Sequence, residues 1–324
     1  MTGLASVIDK VVEAPVFTSF TNVGYTVRKR LDEWTPLGHY DLSGRTVLLT
    51  GATSGLGYAA ARQLAGAGAR LLLLGRNPDK TERVRDELAA ESGNDSLETV
   101  IADMGDLAAV RAAAEAVASR VESLDVLIHN AGALSNERRE GTAGIELTVA
   151  SQVVGPHLMT TLLLDRLSAA APGRVLTMSS GGMYTAGLTD SQLQMTAADY
   201  KGAEQYARAK RAQVTLNEMW AERVPSSDVV FHALHPGWAD TPGVEEALPS
   251  FRKVVGPLLR SPEQGADTLV WLAADDGEPL ASSGEFWLDR RARSIHKLPQ
   301  TRKTDTPERR EKLWAWVEEA ASLP

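Results

Sequence analysis

The sequence predicts an open α/β fold: seven parallel strands in one doubly wound sheet, with helices on both faces. Three observations predict it. Short uninterrupted apolar runs alternate with helix-like segments along most of the 324 residues, the pattern of strands buried on both faces. A glycine-rich turn, Thr50-Gly51-Ala52-Thr53-Ser54-Gly55-Leu56-Gly57, follows the first of these runs and opens an alanine-rich helix. The other short polar motifs fall at or just after the carboxyl ends of strands, where such sheets bind ligands.

The elements follow in order. Residues 1–40 carry Val7, Val11, Val12, Val16 and Phe17, then Arg28, Lys29 and Arg30. This reads as a helical extension packed on the domain, with a weak membrane-surface or partner contact as the alternative. Residues 46–50 form strand one, and the glycine turn leads into a helix ending near 67. Residues 70–74 form strand two and 78–91 a charged amphipathic helix. Strand three covers 97–102, a helix 107–120, and strand four 125–129. A long helix is expected over 144–171, strand five at 174–179, a helix at 203–224 and strand six at 229–234. Residues 262–274 are helical, and 285–288 close the sheet as strand seven. Thr306 as N-cap and Pro307 at the first helical position open a tail helix bearing Leu313, Trp314, Trp316 and Val317. With no repeat or linker to divide the chain, a single sheet domain spans 41–295, including a substrate lid at 238–260. A 1–40 extension and a 296–324 tail flank it.

At 43% hydrophobic and 23% charged residues the chain can bury a full core. The lack of cysteine excludes disulfides, thiolate metal sites and cysteine catalysis, and agrees with a cytoplasmic location. A net charge of −8 argues against nucleic acid or anionic membranes as partners. No apolar stretch approaches the ~20 residues of an integral membrane span, and the N-terminus lacks the basic-then-apolar order of a secretory signal. The histidines form no HExxH pattern, and His232 and His235 have no carboxylate cluster beside them, so no metal is expected. There is no GxSxG elbow of a serine hydrolase.

Gly51 allows a tight turn after strand one. Gly55 and Gly57 remove side chains where the backbone must approach a phosphate or the neighbouring helix. With Thr53, Ser54 and Leu56 they make a dinucleotide-binding loop. Strand two ends in Leu74-Gly75-Arg76-Asn77, without the acid that would bind the ribose 2′-hydroxyl of NAD. Arg76 suits a 2′-phosphate by charge and by its donor fork, so NADP(H) is preferred and NAD(H) is the alternative. Without a ligand, Arg76 is a solvated turn residue.

Tyr206 and Lys210, four residues apart, share one face of a helix. A free phenol, with a pKa of about 10, is a poor base at neutral pH, and a nearby ammonium lowers that value. Strand five ends in Ser179-Ser180: one hydroxyl can bond a substrate oxygen while the other satisfies backbone. Asp103 follows strand three, His129-Asn130-Ala131-Gly132 strand four, and His235-Pro236-Gly237-Trp238-Ala239-Asp240-Thr241 strand six. Thr241 is placed to contact a nicotinamide amide.

In this order the motifs resemble the short-chain dehydrogenase/reductase superfamily over residues 42–288. Within it, residues 179–183, 235–244 and 260–289 and the N-terminal extension are similar to the subgroup of SDR family member 12. The resemblance implies a Rossmann-type fold, Ser180 as donor to the substrate oxygen, Tyr206 as acid/base, and Lys210 as pKa modulator and ribose ligand. It places Asp103 and Met104 near the adenine, and Asn130, Ala131 and Gly132 along the ribose and nicotinamide. Pro236, Gly237, Ala239 and Thr241 complete the cofactor site, and Met183 and Tyr184 border the substrate. It further implies a homodimer or homotetramer built through the two long helices. One departure stands out: where the family usually has an asparagine that relays protons, three residues before Gly155, this chain has Gln152. The extra methylene displaces the amide, and the relay is retained, rebuilt or lost.

The function expected is hydride transfer between nicotinamide and the carbonyl or alcohol carbon of a small, lipophilic substrate. Trp238, Val244, Leu248, Pro249, Phe251, Val254, Val255, Leu258 and Leu259 form an apolar lid, or else cover the core or a subunit interface. The alternative is a catalytically impaired dinucleotide-binding regulator or scaffold, favoured by Gln152 and opposed by Ser180, Tyr206 and Lys210. A sugar-nucleotide epimerase is disfavoured, because its TGxxGxxG loop is absent.

Overall fold

One sheet runs in the order β3-β2-β1-β4-β5-β6-β7-β8 in the computed structural model, which describes residues 8–9, 11–13, 16–141, 143–189, 193–247 and 249–322. Val7, Leu248 and the side chains of Val16 and Phe251 lie outside the described set. The strands are β1 Thr46–Thr50, β2 Arg70–Gly75, β3 Leu97–Ile101, β4 Val126–His129, β5 Gly173–Met178, β6 Val229–Leu234, β7 Phe286–Leu288 and β8 Arg291–Ala292. β1 to β7 pair in parallel, and β1, β4 and β6 are buried at every residue, which is why they read as apolar runs. The expected seven-stranded sheet gains an eighth strand. β8 pairs antiparallel with β7 across a turn in which Asp289 and Arg290 take left-handed φ of 55° and 52°. Two residues are too short a strand to leave a periodic signal.

Among the described residues the helices are α1 Val16–Phe20, α2 Asn22–Leu31, α3 Gly55–Gly66, α4 Pro78–Ser92, α5 Leu107–Arg120, α6 Leu147–Ser168 and α7 Gly202–Arg223, then α8 Pro242–Ala247, α9 Pro249–Val255, α10 Pro262–Ala274, α11 Pro299–Thr304 and α12 Pro307–Ala320. α3 and α10 pack on one face of the sheet through Ala60, Leu64, Leu269 and Leu272; α5, α6 and α7 pack on the other through Val110, Leu158, Leu163 and Ala212. Side-chain caps fix the starts: Asn77 on α4, Asp106 on α5, a Ser261–Gln264 capping box on α10 and Thr306 on α12. The sheet order reverses between β1 and β4, which opens a crevice at their carboxyl ends.

Two expectations are corrected. The helix expected over 144–171 is shorter and contains a π turn at Ala150–Val154. That same helix, α6, is long and apolar enough to cross a membrane by length and composition, although no such stretch was expected. With 67% of its apolar window buried it forms part of the core. Arg28 is fully buried and paired with Asp9, Glu13 and Asp289, while Lys29 and Arg30 are exposed.

The tail helix α12 buries Leu313 and Val317 in the core beside α6 and α7. Its Trp314 meets His157 of α6 edge-on at 4.8 Å and Trp220 of α7 at 5.0 Å.

Candidate active site

The loop after β1 is built by close approach. Gly51 has φ +68°, and a Cβ on it would lie 2.8 Å from Ala131 Cα. A Cβ on Gly57 would lie 2.0 Å from the Gly51 carbonyl oxygen and 2.5 Å from Asn130 Nδ2, so both positions require glycine. Asn130 Nδ2 donates to the carbonyls of Thr50 (3.1 Å) and Gly51 (3.2 Å). The Thr50 hydroxyl donates to Ile128 O and accepts from the amides of Asn130 and Ala131. The side chain of Asn130, expected along the cofactor, is thus engaged in bracing the glycine loop against the end of β4.

The rest of the expected cofactor site gathers on the same rim. Ser54 is exposed at the start of α3 and its hydroxyl makes no cap bond, while Leu56 leans on Gly265 of α10. Thr53 lies against Gly75 at the end of β2, and Arg76 beside it is exposed, without an ion pair to any described residue. Asp103 is exposed and accepts from the Gly105 amide at 2.8 Å. Met104 has its side chain in the core, with Leu107 and Val149 as members of the same cluster, so only its main chain reaches the rim. Thr241, after β6, sits opposite Gly55: a Cβ there would be 3.4 Å from Thr241 Cβ. Pro236, Gly237 and Ala239 line the loop between, with Ala239 bridged to Arg260.

The catalytic candidates converge from β5 and α7. The Ser180 hydroxyl lies beside the Tyr206 ring, both flanking Gly182, and accepts from the Gly182 amide at 3.2 Å. Ser179 instead donates to the Lys210 carbonyl at 3.1 Å, so the second serine ties β5 to α7. Lys210 Nζ donates to Met178 O at 2.9 Å and lies 5.3 Å from the centre of the Tyr206 ring. Burial pushes the phenol above its ordinary pKa, against the opposing pull of the Ser180 hydroxyl. The same burial lowers Lys210 to about 7. A protonated phenol next to a lysine that titrates near neutrality can donate a proton and be recharged.

Gln152 sits in the π turn of α6, a device often found at functional sites. Its Nε2 donates to Ala133 O at 2.8 Å, and its Oε1 lies where a side chain on Gly132 would be. Its own carbonyl accepts from Gln213 Nε2 at 2.7 Å. The amide is therefore directed along the Ala131–Ala133 main chain. His129, next to Asn130, is buried and contacts the Thr160 hydroxyl at 2.8 Å; burial lowers it to about 3 and keeps it neutral.

Sequence reading missed Phe20 at this site and its contact with His235. Their rings meet edge-on at 4.2 Å, and a Cβ on Gly181, next to Ser180, would lie 2.8 Å from each of them. No spacing rule links residues so far apart. Of the lid, α8 and α9 are formed, with Val254 82% exposed while Val255 and Leu259 are buried. Among the described residues no cluster of metal-ligating side chains occurs.

A fold wound around this crevice, with serine, tyrosine and lysine meeting at its edge, defines a dinucleotide-type oxidoreductase scaffold. The family model described as short chain dehydrogenase matches residues 45–250, and the chain belongs to that family. It is 38% identical over 280 residues to human Dehydrogenase/reductase SDR family member 12, covering 86% of this chain and 87% of the relative. It is 29% identical over 278 residues to human Retinol dehydrogenase 11, covering 83% and 86%. Among solved structures, L-sorbose reductase from Gluconobacter frateurii, complexed with NADPH and L-sorbose, superposes with a TM-score of 0.63 at 21% identity, covering 76% of this chain and 95% of that one.

Proposed function

We propose that the protein is an NADP(H)-dependent oxidoreductase that moves hydride between nicotinamide C4 and a carbonyl or secondary alcohol carbon. One observation carries this reading: Ser180, Tyr206 and Lys210 converge at the carboxyl edge of the sheet. NADP(H) supplies the hydride when bound. Gly51, Gly55 and Gly57 give its pyrophosphate an approach to the backbone at the start of α3, and Arg76 stands free to take the 2′-phosphate. Ser180 orients the substrate oxygen, Tyr206 gives it a proton during reduction, and Lys210 restores that proton. Burial holds Tyr206 protonated, the form that reduction needs. Similarity to a retinol dehydrogenase and the apolar positions of α8 and α9 support a lipophilic substrate.

The competing reading, a dinucleotide-binding protein without turnover, rests on Gln152, whose amide is directed to Ala133 O. Fluorescence titration with NADPH and NADH, followed by NADPH oxidation against aldehydes, ketones, quinones and steroids, separates the two. Tyr206→Phe should keep NADPH binding and lose turnover by about 10²–10⁴-fold. Turnover unaffected by that change removes Tyr206 from the mechanism. Failure to bind either nucleotide overturns the whole reading.

A further inference from the structure

Buried charge joins the N-terminal segment to the loop after β6. Arg260 is 1% exposed. Its guanidinium donates to Thr21 O at 3.2 Å and Ser19 O at 3.0 Å in the N-terminal segment. It also donates to Pro236 O at 3.3 Å, and to both carboxylate oxygens of Asp289 at 2.6 and 2.9 Å. Arg28 of α2 reaches the same carboxylate at 2.6 Å and Ser19 O at 3.1 Å. Asp9 and Glu13 balance the second arginine.

Main-chain and packing contacts follow the same path. Arg260 N donates to Trp238 O at 2.8 Å, and Asp240 N donates to Arg260 O at 2.9 Å. Gly237 has φ +74°, and a Cβ on it would lie 2.2 Å from Arg260 Nε and 2.3 Å from Cζ, so the guanidinium lies directly against the Gly237 backbone. Trp238 N donates to Phe20 O at 2.7 Å, and Phe20 also presses on Gly181 beside Ser180. One terminal segment therefore touches both the loop after β6 and the main chain beside Ser180. Charges removed from water hold only where every donor finds a partner. The donors of Arg260 are divided among the N-terminal segment, the β6 loop and the β7–β8 turn, so displacing any one leaves the others incomplete.

We propose that Arg260 is a positioning residue: together with residues 16–28 and Asp289 it clamps the Pro236–Thr241 loop in the form that receives the nicotinamide half of the cofactor. The inference rests on the NADP(H) reading above. The adenine half, received at the glycine loop and Arg76, lies outside the clamp. Binding of the two halves should thus respond differently when the clamp is loosened.

The test uses the full chain and two ligands, NADPH and 2′,5′-ADP, which has the 2′-phosphate but no nicotinamide. Arg260→Lys keeps the positive charge beside Asp289 and removes the fork. It should weaken NADPH by about tenfold or more while 2′,5′-ADP stays within about twofold. Arg28→Lys should act in the same direction, less strongly. Arg174→Lys is the control: it disturbs a similarly buried arginine at the start of β5, which donates to Leu272 O at 2.8 Å and Asp275 O at 2.9 Å and makes no described hydrogen bond to the loop or to residues 16–28. It should lower the melting temperature with the ratio of the two affinities unchanged. If Arg260→Lys does not fold, Phe20→Leu loosens the same contact without touching charge and should shift the ratio likewise. Equal weakening of both ligands, or an unchanged ratio, overturns the clamp. A wild-type protein that binds neither ligand overturns the cofactor reading instead, which keeps the two failures distinct.

Discussion

Replacing Lys210 with methionine tests the electrostatics of the site. The lysine is 3% exposed and donates to Met178 O. Burial lowers its pKa from 10.5 to about 7. The unfolded chain therefore keeps this proton up to 10.5, whereas the folded chain releases it near 7. Between those values the unfolded state binds more protons, so stability rises with pH; below 7 both states are protonated and the full cost of burying the ammonium is present. Relative to Lys210→Met, the wild type should gain about 1.4 kcal/mol per pH unit above neutrality, with roughly 5 kcal/mol as the ceiling over the whole span. Methionine keeps the length of the stem and does not titrate. Urea unfolding of both proteins without dinucleotide, from about pH 6 to pH 9.5, gives the difference directly, since the other titrating groups cancel. The slope is the prediction, because the variant also leaves Met178 O without its donor. A stability difference that stays constant across that range refutes the account of a lysine destabilised by burial. Saturating NADP⁺, with its phosphates, should favour the ammonium and move the window to higher pH.

Three further outcomes follow from the geometry. Gly57→Ala forces a methyl to 2.0 Å from Gly51 O; it should cost about 3 kcal/mol or more by denaturant unfolding and remove nucleotide binding. Arg76→Ser should weaken NADPH by about 10- to 100-fold and leave NADH within about twofold, read by fluorescence titration. Gln152→Asn withdraws the amide from Ala133 O and leaves the buried side-chain N–H at this position without that acceptor, so it should lower stability by about 1–3 kcal/mol, read from the urea midpoint.

What the sequence made legible is what depends on neighbours along the chain. β1, β4 and β6 are buried on both faces, so each shows as an apolar run. The N-cap of α12 is visible because Thr306 and the amide it accepts from, that of Arg309, are three residues apart. The glycines at 51, 55 and 57, and the tyrosine and lysine four apart on α7, are local spacings too. β8 was not legible, because its pairing depends on a two-residue turn with left-handed φ at non-glycine residues. Nor was the π turn, since it adds no residue pattern of its own to α6.

The site shows the same division. Spacing alone left Ser179 and Ser180 equivalent, and only the resemblance chose Ser180; the geometry separates them, because Ser179 bonds the carbonyl of Lys210 while Ser180 lies beside the phenol of Tyr206. The burial of Arg28 left no sequence signal, because its partners Asp9, Glu13 and Asp289 come from segments apart in the chain. The same holds for Phe20 against His235, and for Arg260 lying on Gly237. Motif positions are constrained by what touches the reacting atoms, and such contacts recur at fixed spacings. Orientation of those motifs is constrained from outside, by long side chains whose partners have no fixed spacing. In this chain the outer constraint is charged and fully buried, so it holds its geometry only while all its segments are docked. That makes the N-terminal segment part of the active site in the energetic sense, even though its own side chains perform no chemistry there.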